Sequence, residues 1–80
     1  MTKTYNGHKN YNHWNVSLWI NNDEWLYRMA RARILGCKHY GGRSRAAQVM
    51  LEDLHGAGIT HTPDGAPYSV SSIRAAMVGM

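Results

Sequence analysis

The sequence predicts a mostly α, compact single domain of about four short helices, with a hairpin-like turn near residues 59–68. Three observations predict it. Apolar residues recur at helical spacing in three stretches, residues that cap helices stand where these stretches begin, and Thr62-Pro63-Asp64-Gly65 is turn chemistry. Proline presets its own φ there and glycine tolerates a positive one. A chain of 80 residues buries only roughly 60% of its unfolded surface, which excludes a second domain and a large enclosed cavity. The domain is expected over residues 1–80, with residues 1–12, rich in Asn, Tyr and Gly, as a polar arm.

The stretch Trp14–Ile20 is ambiguous. Trp14, Val16, Leu18 and Ile20 alternate like a strand, while Trp14–Leu18 and Val16–Ile20 are also helical neighbours. Propensity leans toward strand. The next segment is clearer. Asn22 or Asp23 can cap a helix, Asp23 and Glu24 fall in its first turn, and Arg28, Arg31 and Arg33 lie toward its end, an order that complements the helix dipole. Trp25, Leu26, Met29, Ala30 and Ala32 form its apolar stripe, Glu24 precedes Arg28 by one turn, and Gly36 is a stop signal.

Gly41-Gly42 reads as a loop and Ser44 as the cap of a third helix whose core face is Ala46, Ala47, Met50, Leu51 and Leu54. Gly56 or Gly58 ends it. After Pro67 a final helix starts at Ser69 or Ser71, with Val70, Ile73 and Met77 at core spacing. Three Trp (Trp14, Trp19, Trp25) and two Tyr (Tyr11, Tyr27) crowd into positions 11–27 of a chain that has no Phe. Such rings either fill the core, with nearby Asn side chains as partners for the indole N–H groups, or stay exposed as interface anchors. The pattern does not choose between the two.

Nine basic residues against five acidic ones give a formal charge of +4, which points to an acidic partner. The charge is uneven. Between Arg28 and Arg45 stand six cations and no acid, with His39 and Tyr40 among them. A run of this kind is either a solvated surface or a docking patch, and arginine favours the second because its fork grips carboxylate or phosphate at two points. The candidate partner-binding residues are Arg28, Arg31 and Arg33 in the helix, and Lys38, His39, Tyr40, Arg43 and Arg45 beyond it. They are expected to face outward, so that charge reversal at Arg28, Arg31 or Arg43 leaves stability nearly unchanged.

Catalytic chemistry is scarce. His8–His13, Cys37–His39 and His55–His61 do not have zinc-ligand spacing, and HExxH, CxxC, GxSxG and a phosphate-binding glycine loop are all missing. No enzyme activity, metal or cofactor is expected. A single cysteine, Cys37, cannot form an internal disulfide, which fits a reducing compartment. No apolar run approaches the ~18 residues of a membrane span and no signal segment follows Met1, so no membrane association is expected.

Asn10-Tyr11-Asn12-His13-Trp14-Asn15-Val16-Ser17-Leu18-Trp19-Ile20-Asn21-Asn22-Asp23-Glu24, followed by Leu26-Tyr27-Arg28-Met29-Ala30, resembles the opening of a family of small phage and prophage proteins, N-Y-x-x-W-N-V-x-L-W-x-x-N-D-E. The resemblance covers about the first 35 residues and implies a phage origin and a helix across 14–21. In its size and lack of catalytic motifs the chain is also similar to phage-encoded anti-CRISPR proteins. That similarity implies an inhibitor of a type I surveillance complex (Cascade), with subtype I-C the one suggested, acting in the cytoplasm of the infected bacterial host. It transfers no functional residue.

In the second half, Leu54-His55-Gly56-Ala57-Gly58-Ile59 and Thr62-Pro63-Asp64-Gly65-Ala66-Pro67-Tyr68-Ser69-Val70-Ser71-Ser72-Ile73-Arg74 resemble the helix–turn–helix-like segment of large serine recombinases, L-x-x-x-G-I-x-T-x-x-G-x-x-W-S-x-x-S-V-R. Tyr68 stands in the Trp position. That resemblance implies at most a DNA-contacting helical module. Two functions are therefore expected: docking on an acidic surface of CRISPR effector subunits, which blocks target DNA, or binding of nucleic acid as a small basic regulator. In either case the protein is a monomer or a small homo-oligomer.

Overall fold

The structure, a computed structural model, describes residues 10–80. The first nine residues of the expected polar arm lie outside the described residues. Tyr11 and Asn12, assigned to that arm, are instead the first turn of a helix, α1 (Tyr11–Asn22). Asn10 starts it, with extended backbone and a side-chain oxygen that accepts the His13 N–H at 3.0 Å. The strand preference of this stretch yields because the helix places Val16 and Ile20, one turn apart, in the core, and tertiary burial outweighs a propensity scale spanning only ~1 kcal/mol.

A single residue separates α1 from α2 (Glu24–Gly36). Asp23 closes one helix and opens the next: its N–H donates to the Trp19 carbonyl at 2.9 Å, and its Oδ1 accepts the Leu26 N–H at 3.0 Å. Leu26 and Ala30 are buried on α2, with Met29 and Ile34 partly so. Trp25 and Ala32, expected on the same stripe, are exposed.

α3 (Gly42–Gly56) begins two residues before the expected Ser44 cap. Gly41 takes the capping position in the left-handed region at φ 93°, where a Cβ would lie 2.7 Å from Arg45 Cβ. Ser44, inside the helix, accepts a bond from Arg74 Nε at 2.8 Å. α4 (Val70–Ala76) is capped by Ser69, whose side chain accepts the Ser72 N–H while the Ser72 hydroxyl accepts the Ser69 N–H.

Each helix packs against two others, in the cycle α1–α4–α3–α2–α1. The radius of gyration, 12.1 Å, matches the ~12 Å of a compact chain of this length. Small and flexible side chains fill the centre: Ala30, Ala46, Ala47, Met50, Leu54 and Met77, alongside Val16, Ile20 and Ile73. The Trp residues do not. Trp14 and Trp19 are half-buried at the margin and Trp25 is 53% exposed.

The segment between α3 and α4 folds as the expected hairpin-like turn. Thr62 N–H donates to Ala66 O at 2.8 Å, Tyr68 N–H to Thr60 O at 3.0 Å, and His61 faces Pro67 across an antiparallel bridge. A buried polar lock ties it to α1. The Thr62 hydroxyl donates to Asn15 Oδ1 and accepts the Ala66 N–H at 3.0 Å. Asp64 Oδ2 accepts from Asn15 Nδ2 and from the Trp19 indole N–H, each at 2.9 Å. Asn15 and Thr62 are buried, and each has its partners.

The hydrogen bonds from Asn15 and then from Trp19 hold the Asp64 carboxyl below its ordinary 3.8, against a smaller opposing effect of desolvation. A carboxyl depressed in the folded state contributes stability that is complete above the unfolded value and lost as pH falls through the folded one. The urea midpoint of the wild-type protein is therefore expected to drop more between about pH 4 and pH 2 than that of Asp64→Asn. Parallel pH profiles for the two would contradict this role.

Candidate functional site: a cationic end with exposed apolar anchors

The candidate docking residues occupy α2, the turn after it, and the first turn of α3, and the structure divides them by how their charge is used. Two hold the fold. Arg33 Nε lies 2.6 Å from Asp53 Oδ2, a half-buried pair that ties α2 to α3. Arg43 donates from Nε to the Met77 carbonyl at 3.1 Å and from Nη2 to the backbone oxygen of Met80 at 2.9 Å, fastening the segment after α4 to the start of α3. Arg43 is exposed, as expected, yet these bonds give it a structural part as well.

Arg28 is paired with Glu24 one turn earlier, with both side chains about three-quarters exposed (77% and 75%). Such pairs hold the fold by only about 0.2–1 kcal/mol. Arg31 lies over the Tyr27 ring, 6.0 Å from its centroid, and reaches the Tyr27 hydroxyl at 3.3 Å. Arg45 makes one long contact, 3.4 Å, to Gln48. Lys38, His39 and Tyr40 are exposed on the turn between α2 and α3.

Apolar surface accompanies this charge. Tyr40 is 77% exposed and Leu35 68%, while Ile34 and Leu35 line a cleft of about 320 Å³ with Lys38 and Arg43. Sequence reading singled out Tyr40 but not Leu35, which sits at the end of a helix where an apolar side chain normally turns inward. The only available signal was its place one residue before Gly36, among cations.

Helix chemistry is inverted here. The first turn of α3 holds Arg43 and Arg45 and no acid, and no side chain caps it. A helix N-terminus favours negative charge, so two cations there cost the fold stability and concentrate positive potential at this end. Among the described residues, no group of three or more His, Cys, Asp or Glu gathers as metal ligands, and no helix is long and apolar enough to cross a membrane.

A family profile spanning residues 1–80 matches the chain: the family of unknown function DUF7249. The chain belongs to this family. No curated protein and no solved structure matches it. In this DUF7249 protein, then, the geometry of the cationic end is the guide to function, and the two classes of arginine separate by experiment. Arg43→Ala is expected to lower the melting temperature by about 4–8 °C, the effect of losing roughly 1 kcal/mol in a domain of this size. Arg45→Gln is expected to leave it within about 2 °C. Equal losses in thermal melts would mean that both side chains serve the fold.

Proposed function

We propose that this protein is a non-catalytic docking protein that seats the end formed by residues 35–45 on an acidic protein surface. One observation carries the reading: Leu35 and Tyr40 are exposed on the same stretch as Lys38, His39 and Arg45, which no acidic side chain neutralises among the described residues. Aromatic and arginine side chains in a partly apolar setting supply most binding energy at protein interfaces, and surrounding charge speeds encounter. Phosphate contact alone would need no exposed leucine.

The partner we propose is a type I CRISPR effector complex, on the anti-CRISPR resemblance. Charge shapes the mechanism. Channels that hold DNA in CRISPR effectors are positively charged, so a +4 chain is repelled from the channel and seats instead on an acidic subunit face, where its bulk obstructs target DNA. The host cytoplasm is then the place of action.

A second reading, a small DNA-binding regulator, is favoured by the order α3, hairpin-like turn, α4, which follows the recombinase-like pattern. The Arg74–Ser44 bond also brings Arg74 beside the first turn of α3. Neutralising phosphates would then give affinity with a log–log salt slope of about −0.9 per contact.

The separating experiment measures binding to purified type I effector complexes and to duplex DNA across a salt series. Docking is expected to be tight on an effector and to block its target DNA. The combination Lys38→Glu, Tyr40→Ala and Arg45→Glu should weaken it at least about tenfold, a loss of about 1.4 kcal/mol, with no fall in melting temperature, since a carboxylate at position 45 suits the start of α3. Steeply salt-dependent binding to free DNA, with none to any effector, would overturn the docking reading in favour of the second.

A further inference from the structure

Far from the cationic end, at the α1–α2 corner, lies a groove of about 350 Å³. Leu35 and Trp25 stand at opposite ends of α2, whose 13 residues span about 20 Å, so the two features are separate surfaces. Trp19, Trp25 and Tyr68 supply its aromatic walls, Ile59 and Pro63 its apolar side, and Asp23 its carboxylate.

Two of the three walls are held. Trp19 is held by its indole bond to Asp64, and Tyr68 by burial and by the backbone bond from its N–H to Thr60 O. Trp25, by contrast, leaves 53% of its surface in solvent at the first turn of α2. Most polar atoms of the groove have partners, and two groups keep bonding capacity. Asp23 uses Oδ1 to cap α2, and its Oδ2 makes no hydrogen bond among the described residues. Tyr68 is buried, with 5% of the residue exposed, and lines the groove, and its hydroxyl has no hydrogen-bond partner among the described residues. Burial, and then the Asp23 carboxylate, push the phenol pKa up, and both residues line the same groove.

The charge around the groove is the reverse of the rest of the molecule. Asp23 lines it, Asp64 bonds its Trp19 wall, and no Lys or Arg among the described residues lines it, while Glu24 and Arg28 share an adjoining hollow with Asp23 and Trp25. Of these carboxylates, Glu24 is partnered by Arg28 and Asp64 by Asn15 and Trp19, which leaves Asp23 to face a ligand.

We propose that this groove binds the cationic side chain, arginine or lysine, of a protein partner. Aromatic faces attract a cation through their quadrupole, most strongly for Trp, and a carboxylate beside them fixes its position. Arginine fits better than lysine: its guanidinium stacks on a ring while its N–H groups reach both Asp23 Oδ2 and the Tyr68 hydroxyl. The groove is open to solvent rather than enclosed, a shape that admits a side chain protruding from a protein surface. This site does not depend on the docking reading, since none of its residues belongs to the cationic end.

The test is a titration followed by NMR shifts of the Trp19 and Trp25 indole N–H groups. The probes are N-acetyl-arginine-methylamide and its uncharged isostere N-acetyl-citrulline-methylamide. A single side chain should bind with a dissociation constant on the order of millimolar, saturating by about 50 mM, with the isostere at least about fivefold weaker. Asp23→Asn retains a capping oxygen for Leu26 N–H and so keeps α2 intact, yet it should weaken arginine binding about fivefold. Tyr68→Phe should weaken it in the same direction with the fold unchanged by circular dichroism. Equal binding of the two probes would overturn the proposal, as would no saturable shift by about 50 mM or an Asp23→Asn protein that is folded and binds as the wild type does.

Discussion

The polar lock between α1 and the 59–68 segment is the interaction on which the rest of the structure depends. Asn15 and Thr62 are buried, 47 residues apart in sequence, and satisfy one another. Asp64 then joins Asn15 to Trp19. Without these bonds the long connection between α3 and α4 would have little to anchor it beyond Tyr68, Ala66 and the partly buried Ile59. The lock sets where α4 begins, and α4 in turn packs on both α1 and α3. It also orients Trp19 and Pro63, so the aromatic groove is a consequence of it.

A small core explains the rest of the arrangement. Four short helices meet through alanines, methionines and a few branched residues, which allows close approach but leaves no room for the three tryptophans. They are displaced to the margin, where one becomes part of the lock and another stands in solvent. The arginines divide in a comparable way. Arg33 and Arg43 do work that apolar packing would do in a larger domain, tying α2 to α3 and the last residues to α3. Lys38, His39, Tyr40 and Arg45 lie beyond that framework, and Leu35 stays exposed beside them. Positive charge thus gathers at one end of α2, while Asp23 and the aromatic groove stand at the other, giving an 80-residue protein two chemically distinct faces.

Much of the helical framework was legible in the sequence because it follows local rules. Asp23 and Ser69 are good caps, Gly36 and Gly56 good stops, and the inward face of α3 follows from the spacing of Ala46, Met50 and Leu54. Local rules failed where tertiary contacts decide. Ser44 has the chemistry of a cap, but Gly41 can adopt a positive φ and Ser44 is more useful as an acceptor for Arg74. Trp25 fits a helical stripe, yet the facing element does not reach it. Asp64 reads as a turn residue, and nothing in its neighbourhood signals Asn15 and Trp19 as partners. In the candidate site the sequence located the cationic stretch, while the division between structural and exposed arginines depends on Asp53 and on the Met77 and Met80 carbonyls, which lie far along the chain.

The lock is tested most directly by a double-mutant cycle on Asn15 and Thr62 in chemical denaturation. Asn15→Leu and Thr62→Val each strand a buried polar partner, at a cost of about 1–3 kcal/mol, whereas the double variant removes both groups together. The account predicts a coupling of at least about 1 kcal/mol, with the double variant losing clearly less than the sum of the single losses. Additive losses would contradict it, because the two side chains would then be acting independently.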